Sequence, residues 1–205
     1  MPKSHFYDLS DAERTAATIE SIDARRTMVE RWSSLADERP RGWTVRARIA
    51  GKWLRDQPAV ADLGCGTQVL EAHLAPGTLY LPVDVVARDG RTVVVDLNRE
   101  PLPRLPARAA AALGLLEYVF EPEALVAAMF AAFDVVVTSY NPRDLPAALA
   151  DRHANGWVNA FDQAEFEQLF IRAGYHLDRR YAFDKRQVIW RFTTAKPAPG
   201  SKSPR

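Results

Sequence analysis

From residue 59 onward, short apolar runs alternate with helix-like stretches, and no other feature of this 205-residue chain limits its fold as strongly. AVADL (59–63) has the length and apolarity of a buried strand, and QVLEAHL (68–74) reads as a two-turn helix stopped by Pro76-Gly77. TLYLPVDVV (78–86) and RTVVVDL (91–97) read as a second and a third strand. Only ARDG (87–90) joins them, so they form either a hairpin or a parallel pair that has lost its crossover helix. ARAAAALGLLEYV (107–119) is ambiguous: its alanines favour helix, while its place in the alternation asks for a strand. Pro122 opens a helix that runs to Phe133, FDVVVTSY (133–140) is a buried strand, and Asp162 with Glu165 starts a helix that ends at Gly174. YHLDRRYAF and QVIWRFTT close the alternation as two strands across a turn. This order predicts an α/β fold, a doubly wound sheet covered by helices on both faces.

Upstream, residues 9–38 read as one helical stretch opened by a Ser10–Glu13 capping box, with Ile19, Ile22, Val29, Trp32 and Leu35 near helical spacing. A second helix covers 44–56, with Val45, Ile49 and Trp53 on one stripe. Both precede the first strand, so residues 1–56 are expected to form an N-terminal helical cap or lid over an α/β domain at 57–194. Trp32, Trp43 and Trp53 are expected in the core of the cap helices, and Tyr7 is a lid candidate. The tail at 195–205, AKPAPGSKSPR, is expected to be disordered.

Composition removes several function classes. At 47% hydrophobic residues the chain can bury one domain core. A net charge of +1 with dispersed arginines gives no field that gathers nucleic acid or an anionic membrane, so neither is an expected partner. Cys65 is the only cysteine, which excludes an intrachain disulfide, and the histidines at 5, 73, 153 and 176 lack metal-ligand spacing, so no metal is expected. With no apolar stretch of membrane-spanning length and no signal-like start, a cytoplasmic location is expected. Oligomeric state is not legible.

The first strand exits into Gly64-Cys65-Gly66, with Asp62 just before and Gln68 just after. In an open parallel sheet, ligands bind beyond the carboxyl ends of the strands, and glycine there lets a ligand approach the backbone. Asp84 ends the second strand, twenty residues after Gly64, and Asp96 ends the third. Three strand-end aspartates around a glycine loop suit a nucleoside, whose hydroxyls donate, better than a pyrophosphate, whose charge they oppose.

ADLGCGTQ resembles the first motif of the class I S-adenosylmethionine-dependent methyltransferases, an acidic residue followed by Gly-x-Gly-x-Gly. LPVDVV is similar to their second motif and VVVDLN to their third, LGLLEYVFEPEALVAAM to the segment after strand four, and GWVNAFDQAEFEQLFIRAGYHL to the closing helix and strand of their small-molecule branch. The resemblance implies a Rossmann-like, mostly parallel sheet of about seven strands with an antiparallel last strand. It also implies S-adenosyl-L-methionine as cofactor and direct methyl transfer to a small-molecule acceptor. By the same resemblance Gly64, Cys65 and Gly66 would wrap the methionine and ribose portion, and Asp84 would take the ribose hydroxyls. Asp96 with Leu97 would border the adenine, and Leu113 with Gly114 would line the acceptor side. Asp62 either contacts the cofactor or caps backbone near the loop.

The chain departs from the family at Gln68, which stands where a third glycine is expected. With a helical φ there, Gln is tolerated; with a left-handed φ it costs about 1 kcal/mol. Tyr118 follows Glu117 where relatives often carry histidine, so no family base carries over. The catalytic residue is unassigned, with His153, Tyr118 and Tyr140 as weak candidates. Two other readings stay open: a catalytically inactive, methyltransferase-like binding or scaffold protein, and an NAD(P)-dependent oxidoreductase. The latter ranks last because Val69 occupies the final glycine position of that fingerprint.

Overall fold

The computed structural model describes residues 6–35, 41–145, 152–183 and 185–194; the tail expected to be disordered lies outside the described residues. Seven strands, β1 (Ala59–Leu63), β2 (Leu79–Asp84), β3 (Val93–Val94), β4 (Ala109–Leu113), β5 (Val135–Tyr140), β6 (His176–Ala182) and β7 (Val188–Thr193), form one sheet. Their order is β3-β2-β1-β4-β5-β7-β6. All pairs are parallel except those of β7, which runs antiparallel to both β5 and β6. The α/β, doubly wound sheet expected from the alternation, Rossmann-like and mostly parallel as the resemblance implies, is the fold the chain adopts. Strand order reverses between β1 and β4, which puts the crevice of such a sheet at their carboxyl ends.

The ambiguous alanine segment is the central strand. Ala109 to Ala112 are all fully buried, and they alternate between the two faces: Ala110 and Ala112 belong to one core, Ala109 and Ala111 to the other. Small side chains on a strand covered on both faces let helices approach closely, so position in the sheet overrides helix propensity. Helices α4 (Pro122–Ala132) and α5 (Gln163–Ala173) cover the first face, where Met129, Phe166, Phe170 and Trp190 are fully buried. The stacked rings of Phe170 and Phe192 lie 4.2 Å apart in that layer. The α5 capping box forms as its sequence predicts, Glu165 N–H donating to Asp162 (2.9 Å) and Asp162 N–H to Glu165 (2.9 Å), and Gly174 ends the helix in a left-handed conformation.

Three helices precede the sheet: α1 (Asp11–Asp23), α2 (Val29–Ser33) and α3 (Arg41–Trp53). The single helical stretch expected over 9–38 is therefore corrected to two pieces. The Ser10–Glu13 box starts α1, but the chain turns after Asp23, with Arg25 at φ 46°, before α2 begins. Helix α3 packs on β4, β5 and β7, burying Ala47, Ala50 and Leu54 as the second face's core, while α1 docks on the turn His153–Asn155, where Thr18 Oγ1 donates to the His153 carbonyl (2.7 Å).

Two further expectations are corrected. QVLEAHL is not an α-helix; after a series of turns only Glu71–His73 makes a 3-10 turn. RTVVVDL contributes only Val93 and Val94 as strand, and they pair in parallel with Val83 and Asp84, so the hairpin alternative is out. Among the described residues no helix is long and apolar enough to cross a membrane.

Candidate functional site

A cavity of about 250 Å³ opens at the carboxyl ends of β1 to β4. Asp62, Gly64, Cys65, Gly66, Asp84, Asp96, Leu97, Leu113 and Gly114 all line it, so the strand tips and loops bring together every residue that the sequence offered for cofactor contact. The glycine loop is built against β2. Gly64 and Cys65 N–H both donate to the Val83 carbonyl (2.8 and 3.0 Å), and Gly66 N–H donates to Asp84 Oδ2 (2.8 Å). These bonds need left-handed backbone at Gly64 (φ 68°) and Gly66 (φ 52°).

Gln68 also sits at φ 56°, so the third loop position is left-handed and its occupant is strained. That conformation is what denies the following segment an α-helical start. The N–H groups of Gly64, Cys65 and Gly66 are spent on β2, and that of Gln68 on the Cys65 carbonyl (2.9 Å). Gln68 itself does not line the cavity, and its side-chain amide acts on the Asp89 carboxylate.

The acids at the strand tips differ in their support. Asp62 is buried and accepts from the Tyr80 hydroxyl (2.8 Å); burial pushes its pKa up to about 7, with the Tyr80 bond opposing. Asp84 accepts from Gly66 N–H and from Val86 N–H (3.0 Å), and Arg88 approaches it at 3.6 Å. Asp96 accepts from Thr27 Oγ1 (2.9 Å) and Asn98 N–H (3.0 Å), and the Asn98 side chain continues to the Tyr118 carbonyl (3.0 Å). Thr27 belongs to the turn between α1 and α2, so that turn is pinned to the third strand tip. The Cys65 thiol is held upward by burial and by Asp62 and Asp84, which leaves it a packing residue.

Opposite these acids, α3 supplies Arg46. Its guanidinium lies over Gly114 (φ 68°), where a Cβ would collide with it. Burial lowers its pKa, while Glu117, Tyr118 and Asp62 act in the other direction, and among the described residues it makes no ion pair or hydrogen bond. Glu117 is fully buried: Oε1 accepts from Asn141 N–H (3.0 Å) and Asn141 Nδ2 (2.7 Å), Oε2 has no partner, and burial raises its pKa.

Of the three catalytic candidates only Tyr118 lines the cavity. Its hydroxyl accepts from Arg31 Nη2 (3.3 Å) and Trp157 Nε1 (3.2 Å), and its ring meets Trp32 edge-on at 4.7 Å. Tyr140 is fully buried behind the wall, its hydroxyl bonded to Asn159, Arg152 and Phe161 N–H. His153 lies in the turn that receives α1, away from the cavity. Tyr7 stands over Arg31 and not over the cavity.

Trp32 and Trp43 line the cavity rather than the core of the cap helices, a correction that adds to Arg46, Glu117 and Trp157 as residues the sequence reading missed. A signal for Arg46 was present. It shares a helical stripe with Trp43, Ala47, Ala50 and Leu54, so a cation stood on the buried face of an amphipathic helix.

No protein-family model matches the chain and no curated protein matches it. Solved structures do match. A mitomycin 7-O-methyltransferase superposes with a TM-score of 0.65 at 12% identity, over 92% of this chain and 68% of that one. A Burkholderia thailandensis 1,6-didemethyltoxoflavin N1-methyltransferase, solved with its substrate and S-adenosylhomocysteine, gives 0.59 at 17%, over 94% and 92%. A Thermotoga maritima protein described as an S-adenosylmethionine-dependent methyltransferase, possibly a histamine N-methyltransferase, gives 0.58 at 13%, over 74% and 89%. At these identities what is shared is the architecture, and the fold of this chain is that of the class I S-adenosylmethionine-dependent methyltransferases.

Proposed function

We propose that the protein is an S-adenosylmethionine-dependent methyltransferase acting on a small-molecule acceptor. One observation carries the reading: the cavity sorts its charge to match a zwitterionic, sulfonium-bearing nucleoside. Carboxylates at 62, 84 and 96 line the strand-tip side, and the guanidinium of Arg46, which among the described residues has no ion-pair partner, lies over Gly114 with the buried Glu117 acting on it. The residues present fit that cofactor. Asp84 and Asp96 offer acceptors to the ribose and adenine, the bare backbone at Gly64 and Gly66 admits close approach, and Arg46 supplies a cation for the amino-acid carboxylate.

When bound, S-adenosylmethionine supplies a methyl group already joined to a positively charged leaving sulfur. The chain's own part is to align the acceptor and exclude water, and the half-buried rings of Trp32, Trp43, Tyr118 and Trp157 line the cavity where they would do so. Calorimetric titration with S-adenosylmethionine and S-adenosylhomocysteine tests the reading. Saturable heat with either supports it, and silence from folded protein with both removes it.

A non-catalytic binding module is the second reading. It is favoured by Tyr118, the one catalytic candidate at the cavity, whose hydroxyl oxygen is already occupied by two donors. Cofactor binding without methylation of any acceptor in a cell-extract screen selects it.

A further inference from the structure

The cavity's acceptor side has an electrostatic character that the cofactor does not use. Trp32 and Tyr118, both on the cavity wall, are backed by Arg31, whose guanidinium carbon lies 4.6 and 4.9 Å from their ring centres. Arg31 is 4% exposed and is further packed against Phe6 (4.4 Å). Its hydrogen bonds go to the hydroxyls of Tyr7 (3.0 Å) and Tyr118 (3.3 Å), and Nε and Nη1 are buried without a partner. Trp157, also on the wall, is backed by Arg152 at 4.7 Å. Among the described residues Arg152 donates to neutral oxygens: the carbonyls of Asn159 (3.1 Å) and Asn141 (2.7 Å) and the Tyr140 hydroxyl (2.9 Å).

Two guanidiniums thus lie over three rings of the cavity wall, Trp32 and Tyr118 standing edge-on to each other, and among the described residues neither forms an ion pair with a carboxylate. Glu117, which also lines the cavity, is fully buried and acts on both Arg152 and Arg46. A ring face attracts cations through its quadrupole, and here that attraction is already satisfied from behind. A ligand stacked on the front would place its charge roughly 8 Å from each guanidinium, within a Debye length and across low-dielectric rings. An anion there gains from both arginines, and an ammonium ion is repelled by both.

We propose that the acceptor side of this cavity takes a flat, negatively charged aromatic molecule and discriminates against aromatic amines in their ammonium form. The proposal rests on the methyltransferase reading only for the role of that molecule as acceptor; the charge preference itself belongs to the wall.

The test uses three probes with one ring system and different charge: indole-3-acetate, its methyl ester and tryptamine, titrated into the full-length protein by ligand-observed NMR at neutral pH and low salt. The expected order of affinity is acid, then ester, then amine, with at least about a tenfold gap between the ends. Arg31→Met is expected to shrink that gap to about threefold or less. Should Arg31→Met fail to fold, salt takes its place, and the wild-type gap must narrow between about 20 and 500 mM ionic strength. Equal or tighter binding of tryptamine, no binding of indole-3-acetate, or a gap indifferent to both Arg31→Met and salt overturns the proposal. S-adenosylhomocysteine binding is measured on the same samples. Its absence with the acid preference intact defeats the cofactor reading and upholds the wall, while its presence without the preference defeats only the wall.

Discussion

The two sides of the cavity are charged oppositely and held by different means. On the sheet side, Asp84 and Asp96 are fixed by main-chain N–H groups of the strand exits, at 2.8 to 3.0 Å. On the cap side, Arg31 and Arg152 are fixed by ring faces at 4.4 to 5.5 Å and by neutral oxygens. The sheet side therefore inherits its geometry from the backbone topology, since any chain with this strand order presents N–H groups there. The cap side inherits its geometry from side chains of α2, α3 and the 152–159 connection, which the sheet does not dictate. We read from this that the first side is specified by the fold and the second by the particular sequence.

The sharpest way to probe the sheet side is through its least supported acid. Asp62 has a pKa near 7 in the folded state, because of burial, against an ordinary carboxylate value near 4 when unfolded. Between those values the native state binds more protons, so stability is greatest below about pH 4, falls as pH rises toward 7, and is flat above. The drop amounts to as much as about 4 kcal/mol. Asp62→Asn is expected to remove that slope, read as denaturant midpoints from pH 5 to 8; an unchanged slope would show that Asp62 does not carry it.

Asp84→Ala comes next in size. It strands the N–H groups of Gly66 and Val86 and leaves Arg88 without its counter-charge, for a loss of about 3 kcal/mol in unfolding free energy. A loss under about 1 kcal/mol in urea melts would mean that backbone donors do not hold this side.

Arg46→Ala then separates the two sides by ligand. S-adenosylhomocysteine, with its amino-acid carboxylate, is expected to bind about 30-fold more weakly, a change of about 2 kcal/mol, while methylthioadenosine, which lacks that group, keeps its affinity. Equal losses for both compounds would assign Arg46 to shaping the cavity instead.

What could be read from sequence follows the same division. Strands β1, β2 and β5, the capping boxes at Ser10 and Asp162, and the aspartates at the strand tips were legible because each is a local pattern that the sheet topology then positions. Trp32 and Trp43 are expected in the core of the cap helices and Arg46 is not placed, because helical spacing says which residues share a face but not what that face meets. The alanines of β4 stay ambiguous between helix and strand until their neighbours on both faces are known. The break after Asp23 turns on Arg25 in a left-handed conformation, which no residue type there announces.

Gln68 is the remaining place where the sheet side departs from its own logic. Left-handed backbone costs a residue with a Cβ about 1–2 kcal/mol. Its side-chain amide acts on the exposed Asp89 carboxylate, a weak compensation. Glycine would relieve the strain and would give back about 0.4–1 kcal/mol through the greater freedom of the unfolded chain. The balance favours Gln68→Gly by about 1 kcal/mol, a rise of roughly 2–4 °C in Tm for a chain of this size. The result decides what the strain is for. A more stable variant with unchanged S-adenosylhomocysteine affinity makes Gln68 a tolerated defect in a loop that the β2 bonds already hold. A more stable variant that binds more weakly makes the glutamine side chain part of the loop's binding shape. A less stable variant would mean that Gln68 packs well enough to outweigh its φ, and that left-handed strain does not govern this turn.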